Sequence, residues 1–198
     1  MTTMSDDPTL SDFRAERARM SRATAKGIGM PMAGMLYWLV AAWVLRAMPT
    51  ETALVWCFIL TGPVFPIGYA LTKAFGGDLF AKSSTLTPIG IQLAALQLFF
   101  WPIIIVVFRN APEWTPFTLA VLFGSHFLPY GWMYESRGYP FLTVSLAVTM
   151  CVGAIVTGGP MYLAVPWLAA ACYAIAIGIL WTEVAALKRV PAPTTAGT

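Results

Sequence analysis

Residues 116–134, PFTLAVLFGSHFLPYGWMY, form an apolar stretch that contains the only histidine of the chain, His126. The stretch is long enough to cross the hydrocarbon core of a bilayer as a helix, which takes about 20 residues. An imidazole is costly in hydrocarbon, so we expect His126 to face protein or water rather than lipid. The segment therefore predicts a membrane-spanning helix and is the first place to look for function.

The composition of the whole chain is that of a membrane protein. Of the 198 residues, 58% are hydrophobic and only 11% are charged, which excludes an ordinary soluble domain. The net charge of +3 does not predict a nucleic-acid partner, because the basic residues gather in the N-terminal arm and at the ends of apolar segments. Cys57, Cys151 and Cys172 each lie in an apolar run without a neighbouring histidine, so neither a disulfide nor a metal site is predicted.

Hydropathy divides the chain into six predicted spans, which indicates an all-α, polytopic transmembrane helix bundle. The spans cover residues 28–48, 53–72, 87–108, 116–134, 139–157 and 162–187. Residues 1–27 are predicted to be a basic N-terminal arm, either as a short interfacial helix or as solvated chain. Residues 28–187 then form the transmembrane domain, and residues 188–198 are predicted to be a disordered tail.

Lysine and arginine are distributed unevenly between the two sides of the predicted bundle. Only Arg46 and Arg109 fall on one side. The other side has the remaining ten: Arg14, Arg17, Arg19, Arg22, Lys26, Lys73, Lys82, Arg137, Lys188 and Arg189. By the positive-inside rule, both termini are predicted to be cytoplasmic.

Polar side chains recur near the middle of the predicted spans. Gln97 and His126 come at the same depth in neighbouring antiparallel spans, so we expect a hydrogen bond between them. Four further residues come close to that level: Tyr37, Thr61, Thr149 and Tyr173. We interpret the set as a polar ring around a site or path. The alternatives are that threonine bonds its own helix backbone and that Gln97 and His126 only clamp two helices together.

Prolines predict broken helices beside this ring. Pro129 removes the amide that would bond the carbonyl of Ser125, so a kink is expected next to His126. Pro66 and Pro63 have the same effect in the second span, at the carbonyls of Gly62 and Ile59. The alternative is that these prolines carry no function, since proline is common in membrane helices. Tyr130 follows His126 by one turn on the same face, which makes it a candidate to hydrogen-bond the imidazole. The alternative for Tyr130 is an aromatic residue at the membrane interface.

Small residues predict where the helices pack closely. Gly124 and Gly131 share one face of the fourth span, which we expect to pack against another span. The fifth and sixth spans have small residues at every fourth position and are predicted to form a tight hairpin. These positions are Ser145, Thr149, Gly153 and Thr157 in the fifth span and Ala170, Ala174 and Gly178 in the sixth.

Three charged residues form a candidate cluster at the predicted cytoplasmic face. Glu135 and Arg137 follow the fourth span, and Glu183, a turn inside the sixth, is expected to pair with Arg137 or Lys188. A groove there would suit an enzyme that acts on lipid. However, the sequence contains no motif of a hydrolase or a metalloenzyme. We therefore predict no catalytic residue, no cofactor and no metal.

Two segments, PEWTPFTLAVLFGSHFLPYGWMYES at 112–136 and GPVFPIGYALTK at 62–73, resemble a family of small uncharacterised bacterial integral membrane proteins. The shared pattern is Pro112-Glu-Trp, then Gly124-x-His126-Phe, then Pro129, and the resemblance covers residues 27–139. It implies a multi-pass protein of the bacterial plasma membrane and carries no assigned activity.

Two functions agree with these features. We favour a non-catalytic membrane scaffold or accessory protein, which predicts a closed bundle with Gln97 and His126 bonded to each other. The alternative is a small permease or channel whose path passes Gln97, His126 and Tyr130, which predicts a cavity at that depth. The expected partners are the lipid bilayer and either a second copy of the chain or another membrane protein.

Overall fold

The computed structural model describes residues 8–189, and this part of the chain is helical, without a strand. Residues 190–198 of the predicted tail lie outside the described residues. The helices are α1 (Pro8–Ala23), α2 (Gly29–Ala47), α3 (Thr50–Ile59), α4 (Val64–Ala74), α5 (Leu86–Ala95), α6 (Trp101–Asn110), α7 (Thr115–Ser125), α8 (Leu128–Met133), α9 (Gly138–Thr157) and α10 (Val165–Arg189). The predicted all-α class is confirmed.

Within residues 8–189, four helical stretches are long and apolar enough to cross a membrane. They are Ala25–Ala47, Leu86–Asn110, Gly138–Thr157 and Val165–Arg189. A fifth stretch consists of α3 and α4, which are bent by 48° across a short break. The remaining predicted span, residues 116–134, is divided between α7 and α8, each of which is shorter than the hydrocarbon thickness.

Two helix breaks occur where prolines predict them. Residues 60–63 separate α3 from α4, and Pro63 directly precedes α4. His126 and Phe127 separate α7 from α8, and Pro129 lies in the first turn of α8. Proline is suited to the first turn of a helix because its φ is already helical and its missing N–H would have no partner there.

A third break was not predicted. Residues Leu96–Phe100 form a 3-10 helix that joins α5 to α6, and Gln97 is one of them. Pro102, in the first turn of α6, is the sequence signal that could have revealed it, because its ring excludes a regular helix through the preceding turn. The predicted span 87–108 is thus three consecutive helical pieces.

α2 lies against both α4 and α10. Its approach to α4 is closest at Gly29, where an added Cβ would lie 2.3 Å from both the carbonyl oxygen of Gly68 and the amide nitrogen of Thr72. The two helices therefore touch backbone to backbone.

The packed face predicted for the fourth span is confirmed. A Cβ at Gly124 would lie 2.6 Å from Leu146, and one at Gly131 would lie 2.5 Å from Pro140. Leu146 and Pro140 both belong to α9, and Thr143 of the same helix donates a hydrogen bond of 2.9 Å to the carbonyl of Gly124. α9 is therefore fitted closely along α7 and α8.

α9 and α10 pack against each other as predicted, and Thr149 lies between them, but three of the predicted small residues do not belong to the packed face. Ala174 and Gly178 are exposed, and so is Thr157. The buried face of α9 carries larger side chains instead: Tyr139, Leu142, Leu146 and Met150. Among the small residues of α9, Gly138 allows a close approach of α10, since a Cβ there would lie 2.6 Å from Leu180. The large buried side chains also contact other helices, as Leu146 does at Gly124 of α7.

The described part of the N-terminal arm is a packed helix rather than solvated chain. At the end of α1, Met20 and Ser21 are buried, and the Ser21 hydroxyl donates a hydrogen bond of 3.0 Å to the carbonyl of Tyr134. Arg19 donates to the carbonyl of Lys82 at 2.8 Å. α1 is therefore tied to the segments that follow α4 and α8.

The close approach of α2 and α4 predicts opposite effects for two Gly→Ala substitutions. Gly29→Ala should lower the free energy of unfolding by about 2 kcal/mol, because its methyl group must displace backbone atoms. Gly178→Ala is the matched control, since a Cβ there meets nothing within 4 Å; it should be neutral or stabilising by up to about 1 kcal/mol through helix propensity. Denaturant unfolding in detergent micelles, followed by circular dichroism, checks both; equal effects would contradict the packing.

Candidate functional site

A cavity of about 230 Å³ lies among α2, the α3–α4 break, the segment from α5 to α6, α7 and α10. Much of its wall is aromatic: Tyr37, Trp38, Phe65, Trp101, Phe123, Phe127 and Tyr173. Among the described residues, no aspartate, glutamate, lysine or arginine lines it. The cavity is therefore an uncharged space with flat apolar surfaces.

Three polar residues of the wall lie at the three helix breaks. Thr61 lies between α3 and α4, Gln97 in the 3-10 segment, and His126 between α7 and α8. At these breaks the amides bond carbonyls three residues back, as in the hydrogen bonds of 3.1 Å from the Thr61 N–H to Phe58 and of 3.2 Å from the Phe127 N–H to Gly124. The breaks thus concentrate polarity at one place in an apolar bundle.

Gln97 and His126 are in contact, as expected from their equal depth. The amide nitrogen of Gln97 lies 2.7 Å from Nε2 of the imidazole. An amide nitrogen can only donate, so Nε2 of His126 accepts. The other ring nitrogen, Nδ1, faces the carbonyl oxygen of Phe123, which can only accept, so Nδ1 carries the proton. His126 is therefore a neutral imidazole with both nitrogens occupied, and it is only 8% exposed.

The cavity gathers most of the polar ring that was predicted by depth. Tyr37, Thr61 and Tyr173 line it together with Gln97 and His126. The Thr61 hydroxyl also bonds its own backbone, at the carbonyl of Phe58, as the alternative interpretation predicted.

Three other candidates have contacts away from the Gln97–His126 pair. The Tyr130 hydroxyl lies 3.4 Å from the carbonyl of Gly90 rather than on the imidazole, because its ring meets His126 edge-on with 6.1 Å between centroids. Ser125 is exposed and donates to the carbonyl of Leu122 at 2.7 Å. Thr149 lies between α9 and α10, where its hydroxyl is 3.8 Å from Sγ of Cys172.

Tyr37 contributes to the cavity wall, yet its hydroxyl is buried without a hydrogen-bond partner in the described part of the chain. The side chain is only 7% exposed. A buried polar group without a partner lowers stability by about 1–3 kcal/mol. Such groups are uncommon in native structures, and they concentrate at sites where another requirement outweighs their cost.

The second candidate cluster is the one predicted at Glu135, Arg137 and Glu183. Its central residue is Lys26, which was not predicted to belong to it. Nζ of Lys26 lies 3.1 Å from Oε2 of Glu183 and 2.9 Å from the carbonyl oxygen of Glu135. Glu183 also accepts a hydrogen bond of 2.8 Å from the backbone N–H of Arg137. The expected contact of Glu183 with Arg137 is thus made through the main chain, and its ion pair is with Lys26 rather than Lys188.

An unusual backbone turn brings Lys26 inside. Ala25, Lys26 and Gly27 have φ values of 47°, 50° and 64°, in the left-handed region that costs about 1–2 kcal/mol for each non-glycine residue. The turn leaves Lys26 only 6% exposed. The Tyr139 hydroxyl then donates a hydrogen bond of 2.6 Å to the Lys26 carbonyl. Only Gly27 signals such a turn in the sequence, so the buried position of Lys26 and its pairing with Glu183 were not predicted.

α1 completes this cluster on its outer side. Arg17 forms an ion pair of 3.4 Å with Glu135 and donates to the carbonyl of Trp132. Two nitrogens of Arg19 each lie 2.7 Å from a carboxylate oxygen of Glu16, and these hydrogen bonds lower the pKa of Glu16 to about 2. We name the contacts among Arg17, Lys26, Glu135, Arg137 and Glu183 the basic-end clamp. Its two ion pairs are Arg17–Glu135 and Lys26–Glu183, and Arg137 contributes its backbone N–H, so the contacts join α1, the Lys26 turn, the segment after α8 and α10.

Because the hydroxyls of Tyr37 and Tyr139 have different surroundings, we expect the change from tyrosine to phenylalanine to affect the free energy of unfolding in opposite directions at the two positions. Tyr37→Phe should raise the free energy of unfolding by about 1 kcal/mol, because it removes a buried hydroxyl that has no partner. Tyr139→Phe should lower it by about 1 kcal/mol or more, because the Lys26 carbonyl loses its donor. Denaturant unfolding of the two variants in detergent micelles measures both. Destabilisation by Tyr37→Phe equal to that by Tyr139→Phe would show that the Tyr37 hydroxyl is satisfied.

A family model described as a family of unknown function, DUF7010, matches residues 13–183. The chain therefore belongs to this family, and the matched range contains the cavity and the Lys26–Glu183 pair. No curated protein matches the chain, and no solved structure matches it.

Proposed function

We propose that this DUF7010 protein is a small integral membrane permease that binds an uncharged solute in the cavity beside Gln97 and His126. The observation that supports this most is the cavity itself. A scaffold predicts a closed bundle whose middle is filled by side chains, whereas about 230 Å³ of space remains here beside the polar pair. The cavity therefore favours the permease, which was the second interpretation of the sequence.

The broken helices support transport rather than a purely structural role. Non-helical backbone within a membrane is tolerated where it is enclosed by protein or lines a watered cavity, and discontinuous helices commonly form the sites of transporters. Three breaks of the described helices meet at one cavity. We infer that α7 and α8 together form a sixth span, in addition to the four long helices and the α3–α4 pair.

We further infer that both termini are cytoplasmic, in the plasma membrane of a bacterium. Contacts at one end of the bundle support this orientation, because they join parts of the chain that carry most of its basic residues: α1, Lys26, Lys82 and the turn at 132–137. At the other end, the guanidinium of Arg46 lies 5.5 Å from the ring of Trp167. An excess of lysine and arginine marks the cytoplasmic side.

The chemistry of the wall favours an uncharged solute. The described residues of the wall offer no carboxylate or ammonium as a counter-charge, and both nitrogens of His126 are occupied. Placing an unpaired charge in such a space costs several kcal/mol, while a neutral polar group needs only a hydrogen-bond partner.

A non-catalytic scaffold or accessory subunit is the second candidate. The hydrogen bond between Gln97 and His126 favours it, because a clamp between α7 and the α5–α6 segment needs no solute. In that case the cavity would be a packing defect, and the partner would be a second copy of the chain or another membrane protein.

Solute entry into proteoliposomes distinguishes the two functions. Stopped-flow light scattering would follow the swelling of vesicles that hold the purified full chain, with urea, acetamide, glycerol or uracil outside. We expect at least one of these to enter several-fold faster than into protein-free vesicles. Ala94→Phe, which places a ring at the cavity wall, should remove most of that increase.

Ala95→Phe is the matched control, because Ala95 is exposed like Ala94 but does not line the cavity among the described residues. It should leave the entry rate within about twofold of the native protein. Equal rates in protein-containing and protein-free vesicles for all four solutes would contradict the permease. If Ala94→Phe and Ala95→Phe lowered the rate of solute entry equally, the solute path would lie outside the cavity.

A further inference from the structure

We propose that the solute is a planar, single-ring cyclic amide, which pairs with the side-chain amide of Gln97 and stacks against the aromatic wall. This inference rests on the proposed function, because it names the substrate class of the same site. It follows from the hydrogen-bonding capacity that the cavity leaves unused and from the shape of its walls.

Gln97 has unused capacity for one donor and one acceptor. A side-chain amide offers two N–H groups and a carbonyl oxygen. One N–H is used for Nε2 of His126, and no other described residue hydrogen-bonds this amide. One N–H and Oε1 therefore remain on a residue that lines an apolar cavity. A ligand satisfies both if it carries an acceptor and a donor next to each other.

His126 determines which groups Gln97 presents. Nδ1 of the imidazole donates to the Phe123 carbonyl, and the described wall of the cavity has no carboxylate to pair with an imidazolium, so Nε2 carries no proton and accepts. If the Gln97 amide rotated by 180°, its oxygen would face that accepting nitrogen and repel it. The orientation with the nitrogen toward His126 is therefore held, and His126 acts as a positioning residue for Gln97.

A cyclic amide is a neutral group that matches this pair and is also flat enough for the aromatic walls. Its carbonyl oxygen and its N–H are fixed side by side on one edge of a ring, so they can accept from the N–H of Gln97 and donate to Oε1 together. An open-chain secondary amide is ordinarily trans, which places its N–H and its oxygen on opposite sides. A rigid ring also loses less conformational entropy on binding than a flexible chain.

The walls and the volume suit a single flat ring. Trp38, Trp101, Phe123 and Phe127 provide aromatic surfaces around the polar pair, and aromatic rings stack favourably on planar, conjugated ligands. A cavity of about 150 Å³ lined by apolar side chains holds benzene. The present cavity, at about 230 Å³, thus has room for one ring with a few additional atoms.

The test compares two probes, 2-pyridone and 1-methyl-2-pyridone, of which only the first has an N–H beside its carbonyl. Isothermal titration calorimetry on the full chain in detergent micelles would give both dissociation constants. We expect 2-pyridone to bind about tenfold more tightly. In Gln97→Met this preference should disappear, while the affinity for 1-methyl-2-pyridone should change less than about threefold. Gln97→Met has no amide to pair with either probe. Any preference for 2-pyridone that remains in this variant therefore measures the effect of the extra methyl group of 1-methyl-2-pyridone.

Gln92→Met is the control, because Gln92 is an exposed residue of α5 and lies outside the described wall of the cavity. It should retain the full preference. Equal affinities in the native protein, or a preference as large in Gln97→Met as in the native protein, would overturn the inference.

The binding test and the swelling test fail independently. Accelerated solute entry without discrimination between the pyridones would overturn the cyclic-amide class and leave the permease intact. Discrimination that depends on Gln97, without solute entry in vesicles, would support the pairing at Gln97 and overturn transport.

Discussion

Polar groups inside an apolar bundle lower its stability unless they find partners, and this constraint organises the structure around Gln97 and His126. The imidazole uses both of its nitrogens, one for the Phe123 carbonyl and one for the Gln97 amide. The contact joins the break between α7 and α8 to the 3-10 segment between α5 and α6. The third break, at Thr61, faces the same cavity. Irregular backbone and polar side chains are thus collected in one place, and the remaining helix surfaces can be apolar.

A chain of aromatic contacts connects the cavity to the basic-end clamp. Phe127, on the cavity wall, stacks on Tyr139 with 5.7 Å between ring centroids, and Tyr139 donates its hydroxyl to the carbonyl of Lys26. Lys26 pairs with Glu183 at the far end of α10, the helix that also carries Tyr173. A change in the cavity therefore has a direct packed route to the clamp, through groups whose hydrogen bonds are specific.

The sequence predicts well how deep a residue lies in its span, but it predicts poorly which neighbour the side chain faces. Counting residues along each span placed Gln97 beside His126, because both lie near the middle of adjacent antiparallel segments. The same count also placed Thr149 in the ring, but it lies between α9 and α10, since depth does not determine which way a helix face turns. Lys26 was missed for a different reason. Its left-handed turn includes Ala25, which has no intrinsic preference for that conformation, and tertiary contacts select it.

The site depends on His126 being a neutral imidazole with both nitrogens hydrogen-bonded, one of them to Gln97. As the only histidine of the chain, it gives unambiguous signals when labelled with ¹⁵N in its ring. Nuclear magnetic resonance of the labelled protein in micelles reports which ring nitrogen carries the proton. The structure predicts a proton on Nδ1, an unprotonated Nε2 at neutral pH, and a shift of the Nε2 resonance in Gln97→Met. A proton on Nε2, or an Nε2 signal that Gln97→Met leaves unchanged, would contradict it.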